Sequence, residues 1–362
     1  MKLSAALSGA LLMAAAPPAW AARPARAKPP AGMVEVDGRF FPDFALLPPA
    51  AIPEDNPPTP KKVQLGEVLF HDKRLSGDGL LSCSSCHDAK MDFSDDLARA
   101  HAREGKQLIR RTRSLKNVVY NSSFFWDGRA ASLESQFFDV LQGPDEMGMD
   151  PQALAARLKE VPAYRSRFQE VFGAEGISTR TISYAVAAYE RTLRVGDTVF
   201  DDYLRGDSGV MVAPNLAGMA LFKGKARCIV CHNGPTLSDG KFHNTGLRPT
   251  PGAPEDLGRE RVDGLKSSRR SFRTPMLRNS SHNTPYFHDG SIGPIEDLLE
   301  FYNRGGDVKE GLDPDIQPLN LTRREILQLK SFLYTLGEKD SSHNRGNVVH
   351  NLSPEEEEIY RR

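Results

Sequence analysis

Cys83-Ser84-Ser85-Cys86-His87 is a C-x-x-C-H pentad, the pattern by which a c-type haem is attached. Two thiols three residues apart on one helical turn reach the two vinyl groups of one porphyrin, and the adjacent histidine meets the iron through its imidazole. A second pentad, Cys228-Ile229-Val230-Cys231-His232, repeats the pattern. Together they use all four cysteines, so none remains for a disulfide. A zinc site wants paired cysteine motifs close together; here 141 residues lie between Cys86 and Cys228, and each pair carries its own histidine. The expectation is two covalently bound haems, with His87 and His232 as iron ligands.

The chain around the pentads is repeated as well. Gly66-Glu-Val-Leu-Phe70 precedes the first pentad and Gly218-Met-Ala-Leu-Phe222 the second. Thr112–Gly128 (TRSLKNVVYNSSFFWDG) aligns without a gap on Thr274–Gly290 (TPMLRNSSHNTPYFHDG), with seven identities in seventeen positions. Internal repetition of this kind marks a duplicated unit. Both seventeen-residue segments are polar and rich in turn residues, which places them in loops beside the haems.

With 362 residues the chain is long enough for two domains, each with its own core. Forty-seven basic residues balance 47 acidic ones, which gives no footprint for nucleic acid. Lys2, the apolar run Leu3–Ala16 and the small-x-small site Ala19-Trp20-Ala21 read as a secretory signal over residues 1–21. The run is too short to span a bilayer. Covalent haem with an export signal points to the periplasm, with no membrane span after processing. Removal of Trp20 leaves Trp126 as the one tryptophan of the mature chain.

Residues 22–60 are rich in proline and alanine, without a helical period, and read as an exposed linker lying along the first domain. Ser178–Leu193 carries an apolar stripe of Ile182, Ala185, Val186, Tyr189 and Leu193 behind a capping serine, and Thr322–Leu336 carries a second. Residues 346–362, with Glu355 to Glu358, form an acidic, solvated tail.

The duplication lets the two iron sites be compared position by position. Val140 stands fourteen residues after Trp126, and Tyr302 fourteen after His288. A phenolate oxygen can ligate ferric iron and a valine cannot. If these positions lie over their haems, Tyr302 closes the second iron and the first stays open to peroxide or oxygen. The bland alternative makes Tyr302 a core aromatic of an amphipathic helix. Gln136 and Glu146 follow Trp126; beside an open haem an amide can orient peroxide and a carboxylate can shuttle a proton, but either can equally be a surface polar residue. Trp126 reads as a packed aromatic or as an electron relay between haems.

With these residues in place the chain resembles the bacterial di-haem cytochrome c peroxidases and, within them, the MauG-type branch. The resemblance covers almost all of the mature chain. It rests on Leu69-Phe-His-Asp-Lys-Arg-Leu-Ser76, Phe125-Trp-Asp-Gly-Arg-Ala130, Thr192-Leu-Arg194, Tyr203-Leu-Arg-Gly-Asp207, Thr274-Pro-Met-Leu-Arg-Asn279 and Pro285-Tyr-Phe-His-Asp-Gly290, besides the pentads. It implies an all-α fold of two cytochrome c-type domains related by duplication, each with one covalent haem. The N-terminal domain (61–205) would be peroxidatic and the C-terminal domain (206–345) would transfer electrons. It implies Trp126 between the haems and Gln136 and Glu146 in the distal pocket. Tyr302 stands where the conventional peroxidases have a methionine and the MauG type a tyrosine. A hard oxygen ligand favours ferric iron over ferrous and a low potential. Arg111 stands where the family usually has an asparagine at a calcium site, together with carbonyls matching Asn283 and Pro285. Arginine offers no oxygen ligand, so calcium is doubtful.

The expected activity is thus oxidation driven by hydrogen peroxide, with electrons drawn from a periplasmic donor: a substrate protein, a small cytochrome or a cupredoxin. Two alternatives stand beside it. One is a conventional peroxidase that detoxifies peroxide with electrons from a small cytochrome. The other is a non-catalytic di-haem electron carrier, for which His101 would have to ligate the first iron.

Overall fold

The Thr59 side chain accepts a hydrogen bond from the Lys62 amide, and Pro60 supplies a fixed φ at the first helical position, so a helix begins there. In the computed structural model, which describes residues 29–195 and 198–339, this helix is α1 (Pro60–Phe70). The first half continues with α2 (Leu133–Gln142), α3 (Pro151–Lys159), α4 (Pro162–Phe172) and α5 (Thr179–Glu190). The second half holds α6 (Val199–Leu204), α7 (Ala213–Lys223), the short α8 (Glu260–Asp263), α9 (Ile295–Asn303) and α10 (Arg323–Tyr334). Reciprocal capping boxes open α5 at Ser178 and α10 at Thr322. Each of these two helices buries the apolar stripe its sequence carries: Ile182, Ala185 and Val186 in α5, Ile326, Leu329 and Phe332 in α10.

The two largest apolar cores are separate, one in each half. Leu65, Leu69, Leu154, Phe168 and Ile182 share one, and Phe200, Phe222, Ile229, Leu299 and Phe332 share the other. The same helix crossing organises both. Gly66 of α1 lies so close to α5 that a β-carbon there would stand 1.9 Å from the Ala185 carbonyl oxygen; Gly218 of α7 stands 1.9 Å, by the same measure, from the Gln328 carbonyl oxygen of α10. Only glycine lets these backbones approach so closely.

The two seventeen-residue segments are irregular, as their composition suggests, and they share one backbone path. Asn117 and Asn279 both adopt left-handed conformations (φ 61° and 65°), as do Phe125 and Phe287 (66° and 68°). Each asparagine backbone N–H donates to a carbonyl beyond the long helix, Asn117 to Leu193 and Asn279 to Leu336. Each asparagine Oδ1 accepts from a second amide, that of Val195 or Glu338.

Two features depart from the sequence reading. The fold is helix-rich but not purely helical, because β1 (Met33–Val36) and β2 (Arg39–Pro42) pair as an antiparallel hairpin, and β3 (Phe242–His243) pairs with β4 (Phe272–Arg273). The stretch 22–60, read as an exposed linker along the first domain, is for its described part an ordered strap over both halves. Asp37-Gly38 makes a two-residue turn with positive φ at both positions. Val36 and Phe44 then sink into the second core beside Phe200 and Phe222. Further on, Asn56 Nδ2 donates to the Glu134 carboxylate (2.6 Å) and the Tyr184 carbonyl (3.0 Å) of the first half. No described helix is long and apolar enough to cross a membrane. The signal segment 1–21 and the acidic tail 346–362 lie outside the described residues.

Candidate active site

Each pentad opens on a short turn of 3-10 helix, Cys83–Ser85 or Cys228–Val230, capped by its second cysteine and followed by its histidine. His87 Nδ1 lies 2.9 Å from the Phe93 carbonyl oxygen and His232 Nδ1 lies 2.9 Å from that of Leu237. A carbonyl can only accept, so Nδ1 carries the proton and Nε2 keeps its lone pair for a metal. Burial lowers both histidine pKa values, which favours the neutral, ligating form.

A cavity of about 410 Å³ opens against the first pentad and one of about 200 Å³ against the second. Cys83, Cys86, His87, Gln136, Val140, Glu146 and Trp126 line the first; Cys228, Cys231, His232, Tyr302, His288 and Trp126 line the second. The candidate residues named from sequence are therefore gathered into two pockets, and Trp126 forms a wall of both. Val140 and Tyr302, matched by position in the repeat, are each the eighth residue of their helix, α2 or α9, and each lines its own pocket. His101 is exposed and lies at the rim of the first pocket.

Local structure explains these positions. Gln136 and Val140 are one turn apart on α2 and so share its pocket face. Glu146 follows in the turn after α2, where a β-carbon at Gly143 would stand 2.5 Å from Glu146 Oε2. Glycine leaves room for the carboxylate to lie against the turn. Burial, with Asp139 and Asp145 nearby, pushes the Glu146 pKa up to about 7 against the pull of Arg129. That value suits proton transfer near neutral pH. Tyr302 occupies the end of α9 against Phe287 and Phe301. Burial, then the Cys231 and Cys228 thiols, raise its phenol.

Trp126 is fixed on several sides. Its Nε1 donates to the Arg111 carbonyl (3.2 Å), and its own carbonyl accepts from the Arg273 amide (2.8 Å). The Arg113 guanidinium lies 4.6 Å from its ring centroid, and the His288 ring packs edge-on at 6.4 Å. His288 stacks on Phe272 at 3.6 Å, and burial lowers its pKa to about 4, so it is a neutral ring.

Both pockets fit a haem. Arg113 and Arg273 line the first pocket, Arg273 the second as well, and each has a buried guanidinium nitrogen with no hydrogen-bond partner. Burial lowers both pKa values, to about 10 for Arg273, and no carboxylate raises either. Two enclosed cations without counter-charge call for an anionic ligand, and the carboxylates of a haem meet that need. Arg113 and Arg273 are not among the residues singled out by sequence, although the run Arg110-Arg111-Thr112-Arg113 beside the repeat was a signal. Glu190, which no sequence pattern marks, is also buried on the first pocket's wall, and burial pushes its pKa up to about 8.

Calcium does not fit. Arg111 Nη1 donates to the Asn283 carbonyl (2.9 Å), while Nη2 donates to Asn283 Oδ1 (2.8 Å) and the Thr284 carbonyl (3.2 Å). The Asn283 oxygens a hard cation would need already serve a guanidinium, which also takes the Thr284 carbonyl next to Pro285. A cluster of Cys231, Asp239 and His243 brings ligand atoms within 4.8 Å of one another, but it is no better a metal site. His243 Nδ1 meets Asp313 (2.6 Å) and Nε2 meets Asp239 (3.0 Å). Burial opposes its charge, yet the two carboxylates outweigh this and push its pKa up to about 12. Both nitrogens donate, and neither is free.

Two pockets, each with a Cys-x-x-Cys-His pentad and joined by a tryptophan, define a di-haem oxidoreductase of the peroxidase type. Residues 60–209 match the sequence profile of di-haem cytochrome c peroxidases. The chain is 40% identical over 287 residues to the methylamine utilization protein MauG of Methylorubrum extorquens, covering 78% of this chain and 80% of that protein. It is 35% identical to the cytochrome-c peroxidase IdrP1 of Denitromonas iodatirespirans over 82% of this chain and 86% of the relative. Among solved structures, a MauG-like protein associated with microbial copper homeostasis superposes with a TM-score of 0.76 at 32% identity, covering 81% of this chain and 94% of the other. The chain belongs to the di-haem cytochrome c peroxidase family, and with it go two haem cofactors and peroxidase-type oxidoreductase chemistry.

Proposed function

We propose that this protein is a MauG-type oxidoreductase of the periplasm that uses hydrogen peroxide at its N-terminal site and draws electrons, through its second site, from a partner protein. The observation that carries this reading is the asymmetry of the two pockets: Tyr302 lines the second, and Val140 holds the matching place in the first. The first pocket keeps room for a small oxidant, and the second has an oxygen ligand at hand.

Cys83 and Cys86, and Cys228 and Cys231, would hold the two haems by thioethers, with His87 and His232 as iron ligands, and the haems would supply the redox chemistry. The chain's own residues manage protons and path. Reduction of one peroxide to two waters takes two electrons and two protons. Glu146, with a pKa near 7, accepts a proton from one peroxide oxygen and returns it to the other. Gln136 offers an amide that orients the molecule. Trp126, forming part of both pockets, is the side chain through which the two sites exchange electrons. Burial keeps the Tyr302 phenol protonated, so its use as a ligand releases a proton.

The matched helix crossings at Gly66 and Gly218 and the shared path of the two loop segments support duplication of one haem-binding unit. Export to the periplasm rests on Lys2, Leu3–Ala16 and Ala19-Trp20-Ala21. Replacing Tyr302 by phenylalanine tests the reading. Peroxide should still react at the first site, while the near-infrared band that reports oxidation shared by both haems should be lost. A Tyr302→Phe protein with an unchanged band would remove the ligand assignment.

One observation favours a second reading, a conventional peroxidase fed by a small cytochrome. His101 stands at the rim of the first pocket, where an imidazole could serve as a removable ligand. Sustained turnover with a reduced monohaem cytochrome, and its change in His101→Ala, would favour that reading.

A further inference from the structure

We propose that the Arg111 guanidinium is a permanent internal cation between the two pockets, and that it makes their coupling independent of calcium. Coupling of the two sites is taken from the reading above; the calcium independence stands on contacts of this chain alone. Arg111 ties three pieces together. Its amide donates to the His288 carbonyl (2.8 Å), its carbonyl accepts from Trp126 Nε1 (3.2 Å), and its guanidinium reaches the oxygens of Asn283 and Thr284. One residue therefore sets the position of the tryptophan shared by the two pockets and anchors the neighbouring loop of the second half. Arg111 is a positioning residue, since it acts on the route between pockets through Trp126.

The charge belongs there. The guanidinium is buried, and burial lowers its pKa, but the Asp95 and Asp96 carboxylates lie near enough to oppose that shift, and arginine does not lose its proton in proteins. Asp95 is engaged as well, accepting from the Thr112 hydroxyl (2.7 Å) and the Leu97 amide (3.1 Å). A calcium ion drawn to the same oxygens would meet a fixed positive charge at hydrogen-bond distance from each of them. The side chain and the metal are alternatives.

The test uses the two-haem protein. Calcium content by elemental analysis, the melting temperature, and the near-infrared band after one equivalent of peroxide are measured in EGTA and in millimolar calcium. The expected result is no stoichiometric calcium, and a melting temperature and band that neither EGTA nor calcium changes. Arg111→Gln should lower the melting temperature by about 4–8 °C, the scale of losing charged hydrogen bonds, and weaken the band. One calcium per chain, or a band or melting temperature that falls in EGTA, would overturn the proposal, as would an Arg111→Gln protein equal to the wild type in both readouts. If no band forms even in the wild type, the MauG-type reading fails, while calcium content and melting temperature still decide the role of Arg111.

Discussion

Glu146 carries the pH dependence expected of the first pocket. An acid whose pKa is raised to about 7 holds its proton below neutrality and loses it above. In the proposed role the carboxylate is the form that would accept a proton from peroxide, so the second-order rate with peroxide should rise as pH increases through about 7 and then level. Glu146→Gln should lower that rate by about 10²–10⁴-fold, the range for a positioned proton carrier, and flatten the profile. Stopped-flow rates across pH 5–9 check both points; an inflection that survives in the glutamine variant assigns the proton to another group. Glu190, buried on the same wall with a pKa of about 8, would then be the residue to examine. Much of this chemistry is legible in the sequence because the pentads and the repeat fix positions: Val140 against Tyr302 is a comparison that alignment alone makes. The arginines were not legible. Arg113 and Arg273 are separated by 159 intervening residues, and only folding brings their unpartnered guanidiniums to one cavity.

At the scale of elements, the glycines of the two G-x-x-L-F segments are the contacts on which each half closes. A β-carbon at Gly66 or Gly218 would overlap a helix carbonyl, and backbone cannot step aside as a flexible side chain can. Gly66→Ala and Gly218→Ala should each destabilise the protein by about 1–3 kcal/mol or more, seen as a lower midpoint in denaturant. A variant as stable as the parent at either position would show that the crossing has more slack than the packing implies. The hairpin and core contacts of the strap 29–59 are not legible in the sequence, for a physical reason. Proline and alanine content hid a hairpin signal, Asp37-Gly38 between Val34-Glu-Val36 and Arg39-Phe-Phe41. Its path over the second core depends on Phe44 meeting Phe200 and Phe222, a contact of high sequence separation that local patterns do not encode.

The whole molecule is a pair of pockets sharing one tryptophan, with a tyrosine on one side and a valine on the other. Contacts that cross between the halves hold them in register: Arg110 joins Asp127 to Asp256, Lys116 meets Glu338, and Arg111 clasps Asn283. Most such pairs are enclosed enough for their geometry to matter more than it would on a surface. The central claim is that both sites share oxidising equivalents through Trp126. The most direct test is the optical and near-infrared spectrum of the fully ferric protein, before and after one equivalent of hydrogen peroxide. The expected result is immediate formation of a long-lived oxidised species with a near-infrared charge-transfer band. A ferric protein that stays silent until the second haem is reduced would contradict the claim and identify a conventional peroxidase; silence even then would leave an electron carrier.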